Sequence, residues 1–227
     1  RNSLDLPQET ILRILYRHKN PWKENSDVEA LEGDILDPQI VERAVNGTDA
    51  VLHLAGLVER NPKTASRLFD THILGTRNVC EAAVKNGKVR VIIASSSGTV
   101  AASHRPIIHN ENSPYSVEIA GHWPYYLSKI YQEKLALSYY EKQGLPVVVL
   151  NPSLLLGPGD QGLSSTNDIR IFLNRQITSI PSGGLSLVDV RDVAECFIGA
   201  ITRGRPGQKY LIGGHNMTVR EFFLLIQ

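Results

Sequence analysis

The chain has little cysteine, almost no net charge and no long apolar run, and each shortage removes a class of function. Its 227 residues hold two cysteines, Cys80 and Cys196, each in an apolar helical stretch with no second Cys or His at ligand spacing. A disulfide framework is thereby excluded, and both thiols read as buried and free. The seven histidines are scattered in the same way, so no metal centre is expected. The formal net charge is +1 and no block of Lys or Arg stands out. Neither nucleic acid nor an anionic membrane surface is therefore an expected partner. No run approaches the roughly 18 apolar residues of a membrane span, and the amino end lacks an apolar signal core. A cytoplasmic protein with a small ligand is the expectation.

What is present is a real core. Hydrophobic residues make up 42% of the chain, enough for one large α/β domain over residues 1–227. Short β-branched runs alternate with helical stretches, the pattern of a parallel sheet covered by helices on both faces. The expected strands are Ile11 to Tyr16, Val28 to Leu31, Ala50 to Leu54, Val89 to Ser95, Pro146 to Leu150 and Gln208 to Ile212. The clearest helices are Pro38 to Val45, Ala65 to Lys85, Trp123 to Lys142, Val190 to Arg203 and Val219 to Ile226, the last with Thr218 as N-cap. Val91-Ile92-Ile93-Ala94 and Val147-Val148-Val149-Leu150 are continuous apolar runs, as strands buried on both faces require.

In such sheets ligands lie at the carboxyl ends of the strands. The first strand ends in Arg17-His18-Lys19, where Arg fits a 2′-phosphate better than a 2′-hydroxyl, which favours NADP over NAD. A solvated basic turn is the plainer alternative. The second ends in Gly33-Asp34-Ile35-Leu36-Asp37; Asp37 is placed to cap the helix at Pro38, which leaves Asp34 free for an adenine amino group. The third ends in Leu54-Ala55-Gly56, small enough for a backbone to approach a cofactor. The fourth runs into Ser95-Ser96-Ser97-Gly98-Thr99, whose hydroxyls need partners inside a sheet. Tyr125 and Lys129 follow, four residues apart on one helical face, where an ammonium favours a phenolate and lowers the Tyr pKa. By itself the spacing is weak: eight Tyr and nine Lys give about one third of a chance match.

Taken in order, these segments resemble the extended short-chain dehydrogenase/reductase superfamily, its dihydroflavonol-reductase-like and 3β-hydroxysteroid-dehydrogenase-like branch. The matching stretches are Leu31 to Asp37, Val51 to Gly56, Gly75 to Val79, Ser95 to Val100, Tyr125 to Lys129, Asn151 to Asp160 and Val188 to Ala194. The resemblance implies a doubly wound, Rossmann-type α/β fold with NADP, or NAD, as cofactor. It implies Ser96, Tyr125 and Lys129 as the catalytic set: Ser96 polarises the substrate oxygen, Tyr125 moves the proton, and Lys129 binds the nicotinamide ribose. Ser95 counts among the cofactor contacts, Pro152 and Ser153 fall on the nicotinamide side, Leu54, Ala55 and Gly56 along the adenosine side, with Arg17, Asp34 and Ile35 around the adenosine itself. Asp189 to Ala194 reads as a structural helix start. Dimerisation through the Tyr125 helix and the Ala65 to Lys85 helix is common in the family, although the same apolar residues suit a core equally well.

Three departures qualify the match. The family's Gly-rich pyrophosphate loop and its first strand belong ahead of Ile11, yet Arg1 to Thr10 contains no glycine; the expectation is that both are missing from this chain. A small carboxyl-terminal substrate region is expected to be largely absent too, with residues 155–187 and the end contributing what there is. Third, His72 stands where the family often has Asn, and Ala101 stands where the plant flavonoid reductases have Asn. Three readings follow: an NADPH-dependent reductase of a ketone or aldehyde, an NAD-dependent nucleotide-sugar epimerase or dehydratase, and a non-catalytic dinucleotide-binding relative.

Overall fold

The computed structural model describes residues 10–18, 20, 27–59, 64–160, 162–177 and 179–227; Lys19 and most of the Arg1 to Thr10 segment lie outside them. Two continuous apolar runs form the centre. Strand β4 (Arg90–Ala94) pairs in parallel with β5 (Val147–Pro152), flanked by β3 (Ala50–His53) and β8 (Lys209–Ile212) in the order β3-β4-β5-β8. Successive side chains on a strand point to opposite faces, and the packing follows that alternation. Val91, Ile93, Val147 and Val149 join one apolar cluster, whereas Ile92, Val148 and Leu150 join another. Helices α1 (Pro38–Val45), α3 (Gly75–Lys85) and α5 (Pro124–Gln143) supply the first cluster; α7 (Val190–Arg203) supplies the second. A sheet covered on both faces is the expected α/β class.

Two further ladders accompany this sheet. β1 (Leu12–Tyr16) and β2 (Val28–Glu32) form a parallel pair, and Leu15 packs against the same cluster as Val51 of β3. β6 (Leu154–Leu156), β7 (Gly184–Asp189) and β9 (His215–Thr218) form a mixed sheet, β7 and β9 antiparallel. None of these last three was expected from the sequence, nor were helices α4 (Val117–Ala120) and α6 (Thr166–Leu173). They are short or half-exposed, so no long apolar period marks them.

Helix ends follow local chemistry. Asp37 accepts from the amides of Gln39 and Ile40 at the start of α1, Asp189 caps α7 through Arg191, and Thr218 forms a reciprocal capping box with Glu221 at α8 (Val219–Leu225). The expected Ala65 to Lys85 helix is not one helix. Helix α2 (Ala65–Phe69) passes into a π-helical segment, Asp70–Leu74, before α3 begins. Cys80 is buried as expected, but Cys196 is exposed, on the outward face of α7. No helix among the described residues is long and apolar enough to cross a membrane.

Candidate active site

Helix α5 has an unusual inner face. Ser128, Lys129, Gln132 and Glu133 are all buried, beside Ile130 and Ala136. Buried polar groups are costly without partners, and each of these has one. Lys129 Nζ donates to the Ala94 carbonyl at 2.8 Å and to Gln132 Oε1 at 2.9 Å. Gln132 Nε2 donates to Thr76 Oγ1 at 2.8 Å, and Thr76 meets His53 Nε2 at 2.8 Å. Glu133 receives the Ser95 hydroxyl and, at 2.6 Å, Asn151 Nδ2. The polar stripe 125, 128, 129, 132, 133 was visible as a helical period, yet only its first and third members were singled out from sequence.

Tyr125 stands on this stripe at the carboxyl end of β4. Burial pushes its phenol up to about 12, with Tyr126 adding to the rise, and a hydrogen bond with the Ser96 hydroxyl pulls it back down. This corrects the expectation that Lys129 lowers the Tyr pKa. The ammonium lies one turn away, bonded to Ala94 and Gln132, and desolvation of the phenol is the largest influence on it. Lys129 itself is pushed down to about 8 by burial, against an opposing pull from Glu133.

Ser96 has extended backbone geometry and caps the short 3₁₀ turn Ser97–Thr99. Gly98 in that turn lies against the Tyr126 ring, where a Cβ would come within 2.2 Å of a ring carbon. Only glycine lets the Ser96 loop and the Tyr125 helix meet so closely. Ser95 turns the other way: its hydroxyl is bound to Glu133 and its amide to the Leu150 carbonyl. Its side chain is therefore engaged in the interior rather than directed to a ligand.

The remaining candidates line the strand ends. Leu54, Ala55 and Gly56 are exposed, and a Cβ on Gly56 would lie 3.0 Å from His72 Nε2 and 3.5 Å from Lys129 Nζ. The segment thus forms an open floor directly above the buried lysine. Pro152 and Ser153 are buried at the end of β5, and the Ser153 hydroxyl has no hydrogen-bond partner among the described residues. Arg17 and Asp34 meet at 3.6 Å, both half-exposed, at the ends of β1 and β2. Asp34 also accepts from the Leu36 amide, and the Ile35 carbonyl is held by Asn78 Nδ2 at 2.9 Å.

These observations fit a dinucleotide. A buried hydroxyl without a partner among the described residues, an exposed floor beside the Lys129 amine and the Arg17–Asp34 pair are compatible with the nicotinamide, ribose and adenosine ends that the family resemblance implies. Two buried histidines were not read as site residues from sequence. His53 and His72 are both held neutral, pushed down to about 3 by burial first and the Lys129 charge second. Their hydrogen bonds cross between strand ends and helices, which local sequence does not display.

Comparison with known proteins points the same way. The family described as NAD dependent epimerase/dehydratase matches residues 3–213. A putative dihydroflavonol 4-reductase of Synechocystis sp. is 30% identical over 203 residues, 87% of this chain and 58% of that protein. Among solved structures, gox2253 superposes with a TM-score of 0.81 at 28% identity, covering 95% of this chain and 66% of that one. A DesIV double mutant, the dTDP-glucose 4,6-dehydratase of Streptomyces venezuelae with NAD and DAU bound, gives a TM-score of 0.76 at 25% identity over 89% of this chain and 63% of its own. The chain spans less than two thirds of the length of each of these relatives.

Proposed function

The chain belongs to the NAD dependent epimerase/dehydratase family, and from that premise we propose that it is an NADPH-dependent reductase of a ketone or aldehyde. The observation that carries the reading is geometric: helix α5 brings Tyr125 to the turn that Ser96 caps, with the Lys129 amine one helical turn further on beneath the Gly56 floor. A protonated phenol is a proton donor. The substrate oxygen becomes strongly basic as a carbonyl is reduced, so proton transfer from a phenol near 12 remains downhill. Abstraction of a proton from an alcohol would need the phenolate, which this burial disfavours.

When bound, the dinucleotide supplies the hydride. The protein's own part is to hold and protonate. Ser96 donates to the substrate oxygen, and Tyr125 delivers its proton there as negative charge develops. Lys129 offers its free N–H to the nicotinamide ribose, while Pro152 and Ser153 flank the nicotinamide. Leu54, Ala55 and Gly56 support the adenosine side, and Asp34 and Ile35 the adenine.

Arg17 carries the preference for NADPH. A 2′-phosphate would draw the guanidinium away from Asp34, exchanging an exposed pair at 3.6 Å for a charge-assisted contact. Arg17→Ala is expected to weaken NADPH about 10- to 100-fold and leave NADH nearly unchanged, since a charge-assisted hydrogen bond is worth about 1.5–3 kcal/mol. Fluorescence titration with both cofactors measures this. A wide preference for NADH in the wild type would remove the role given to Arg17.

The likeness to DesIV with NAD bound favours a second reading, an NAD-dependent epimerase or dehydratase of a nucleotide sugar using the same Ser96, Tyr125 and Lys129. Titration followed by a carbonyl screen separates the two. NADPH consumption with a ketone or aldehyde supports the reductase; retained NAD with turnover of a nucleotide sugar supports the alternative. Failure of either dinucleotide to bind below about millimolar concentration, about 4 kcal/mol of binding free energy, ends both and leaves a non-catalytic relative.

A further inference from the structure

We infer that His72 is a positioning residue that ties the exposed Leu54 to Gly56 floor, through the half-buried Leu57 beside it, to the backbone of Tyr125, so that the dinucleotide and the proton donor are held in one register. The inference rests on the reductase reading for its purpose, but its geometry stands by itself. His72 is completely buried, within the π-helical segment Asp70–Leu74. Single π turns inside α-helices occur frequently at functional sites.

The directions of its hydrogen bonds follow from donor chemistry alone. The Leu57 amide, 3.1 Å from His72 Nε2, can only donate, so Nε2 is the acceptor and carries no proton. A neutral imidazole then has its hydrogen on Nδ1, which donates to Ser128 Oγ at 2.8 Å. The Ser128 hydroxyl in turn donates to the Tyr125 carbonyl at 2.7 Å. Three hydrogen bonds thus run one way, from Leu57 through His72 and Ser128 to Tyr125. The His72 ring also stands edge-on to the Tyr125 ring, centroids 5.9 Å apart. Burial and the Lys129 charge keep the imidazole neutral, pushed down to about 3, so this single tautomer persists across the physiological range.

The two ends of the tether separate by substitution. In His72→Gln the amide oxygen falls near the place of Nε2 and still accepts from Leu57, but the link to Ser128 is lost. In His72→Asn the amide nitrogen falls near the place of Nδ1 and still donates to Ser128, but Leu57 is released. Expected for His72→Asn is an NADPH Kd raised about 10-fold with kcat at saturating cofactor close to wild type. Expected for His72→Gln, and equally for Ser128→Ala, is a kcat lowered about 10-fold with Kd changed less than about 2-fold. These factors correspond to one buried hydrogen bond each. Nitrogen NMR of the cofactor-free protein is expected to show Nδ1 protonated and Nε2 bare. Hydrogen exchange at the Leu57 amide is expected to accelerate in His72→Asn and not in His72→Gln. A protonated Nε2, or Kd and kcat that fall together in every variant in proportion to lost thermal stability, would overturn the assignment. Absence of dinucleotide binding in the wild type would instead sink the reductase reading, and the tautomer and the Leu57 exchange would still decide whether the tether exists.

Discussion

Replacing Tyr125 with Phe is expected to lower kcat by about 10²–10⁴-fold, the range that general acid catalysis contributes, with cofactor affinity held close to wild type. The ring remains, and with it the edge contacts to Tyr126 and His72, at 5.1 and 5.9 Å between centroids. Only the hydroxyl and its bond to Ser96 are lost. Because Ser96 still caps its own turn through Gly98, the loop keeps its shape without the phenol. Stopped-flow reduction of a carbonyl substrate under single-turnover conditions separates the chemical step from product release. A Phe variant with undiminished turnover would take the proton away from Tyr125 altogether. The elevated phenol pKa adds a directional expectation: reduction proceeds well at neutral pH, whereas alcohol oxidation accelerates as pH rises toward the phenol's range. A phenol lowered toward neutrality would have made oxidation equally easy.

The parts of this site that the sequence displayed are those written into a local period or a strand end. Val91 to Ala94 and Val147 to Leu150 gave the two central strands because burial on both faces leaves no polar position. Asp37 and Thr218 showed as caps because their chemistry acts over three residues. Tyr125 and Lys129 showed because one helical turn separates them. The partners of Lys129 did not show: Ala94 and Gln132 fix its amine, and the first comes from a strand 35 positions away. That is why its effect on Tyr125 was misjudged, since spacing on a helix places two residues on one face without saying where the longer side chain ends. Ser95 and Ser96 are told apart in sequence only by the family resemblance, and the turn after β4 separates them, one toward Glu133 and one toward Tyr125. Asn151, placed in a motif for its neighbours, turns out to join Glu133 to Ser96 and Thr99.

The two buried histidines give the second large effect, a steep loss of stability in mild acid. Each is about 3 when folded against 6.5 when unfolded. The unfolded chain therefore takes up two protons as pH falls below 6.5, and the folded chain takes up neither until about pH 3. Stability accordingly falls with pH, at a limiting rate of about 1.4 kcal/mol per histidine per pH unit. Between pH 6.5 and pH 5 the pair is expected to cost about 3 kcal/mol, a large share of the 5–15 kcal/mol that holds a typical domain together. Lys129 acts in the same sense but in another window. Its folded pKa of about 8 lies below the model-compound value of 10.5, so its loss develops as pH falls from 10.5 to 8 and is complete before the histidines begin. Urea midpoints measured from pH 7 to pH 5 isolate the histidine slope above the range in which carboxylates titrate. His72→Gln should roughly halve it, because one of the two protons is no longer taken up. A slope that the variant leaves unchanged would mean that His72 is already charged in the folded protein. Leu57 N–H would then face a second N–H across the 3.1 Å that now holds a hydrogen bond, an arrangement that the buried segment could keep only by breaking it.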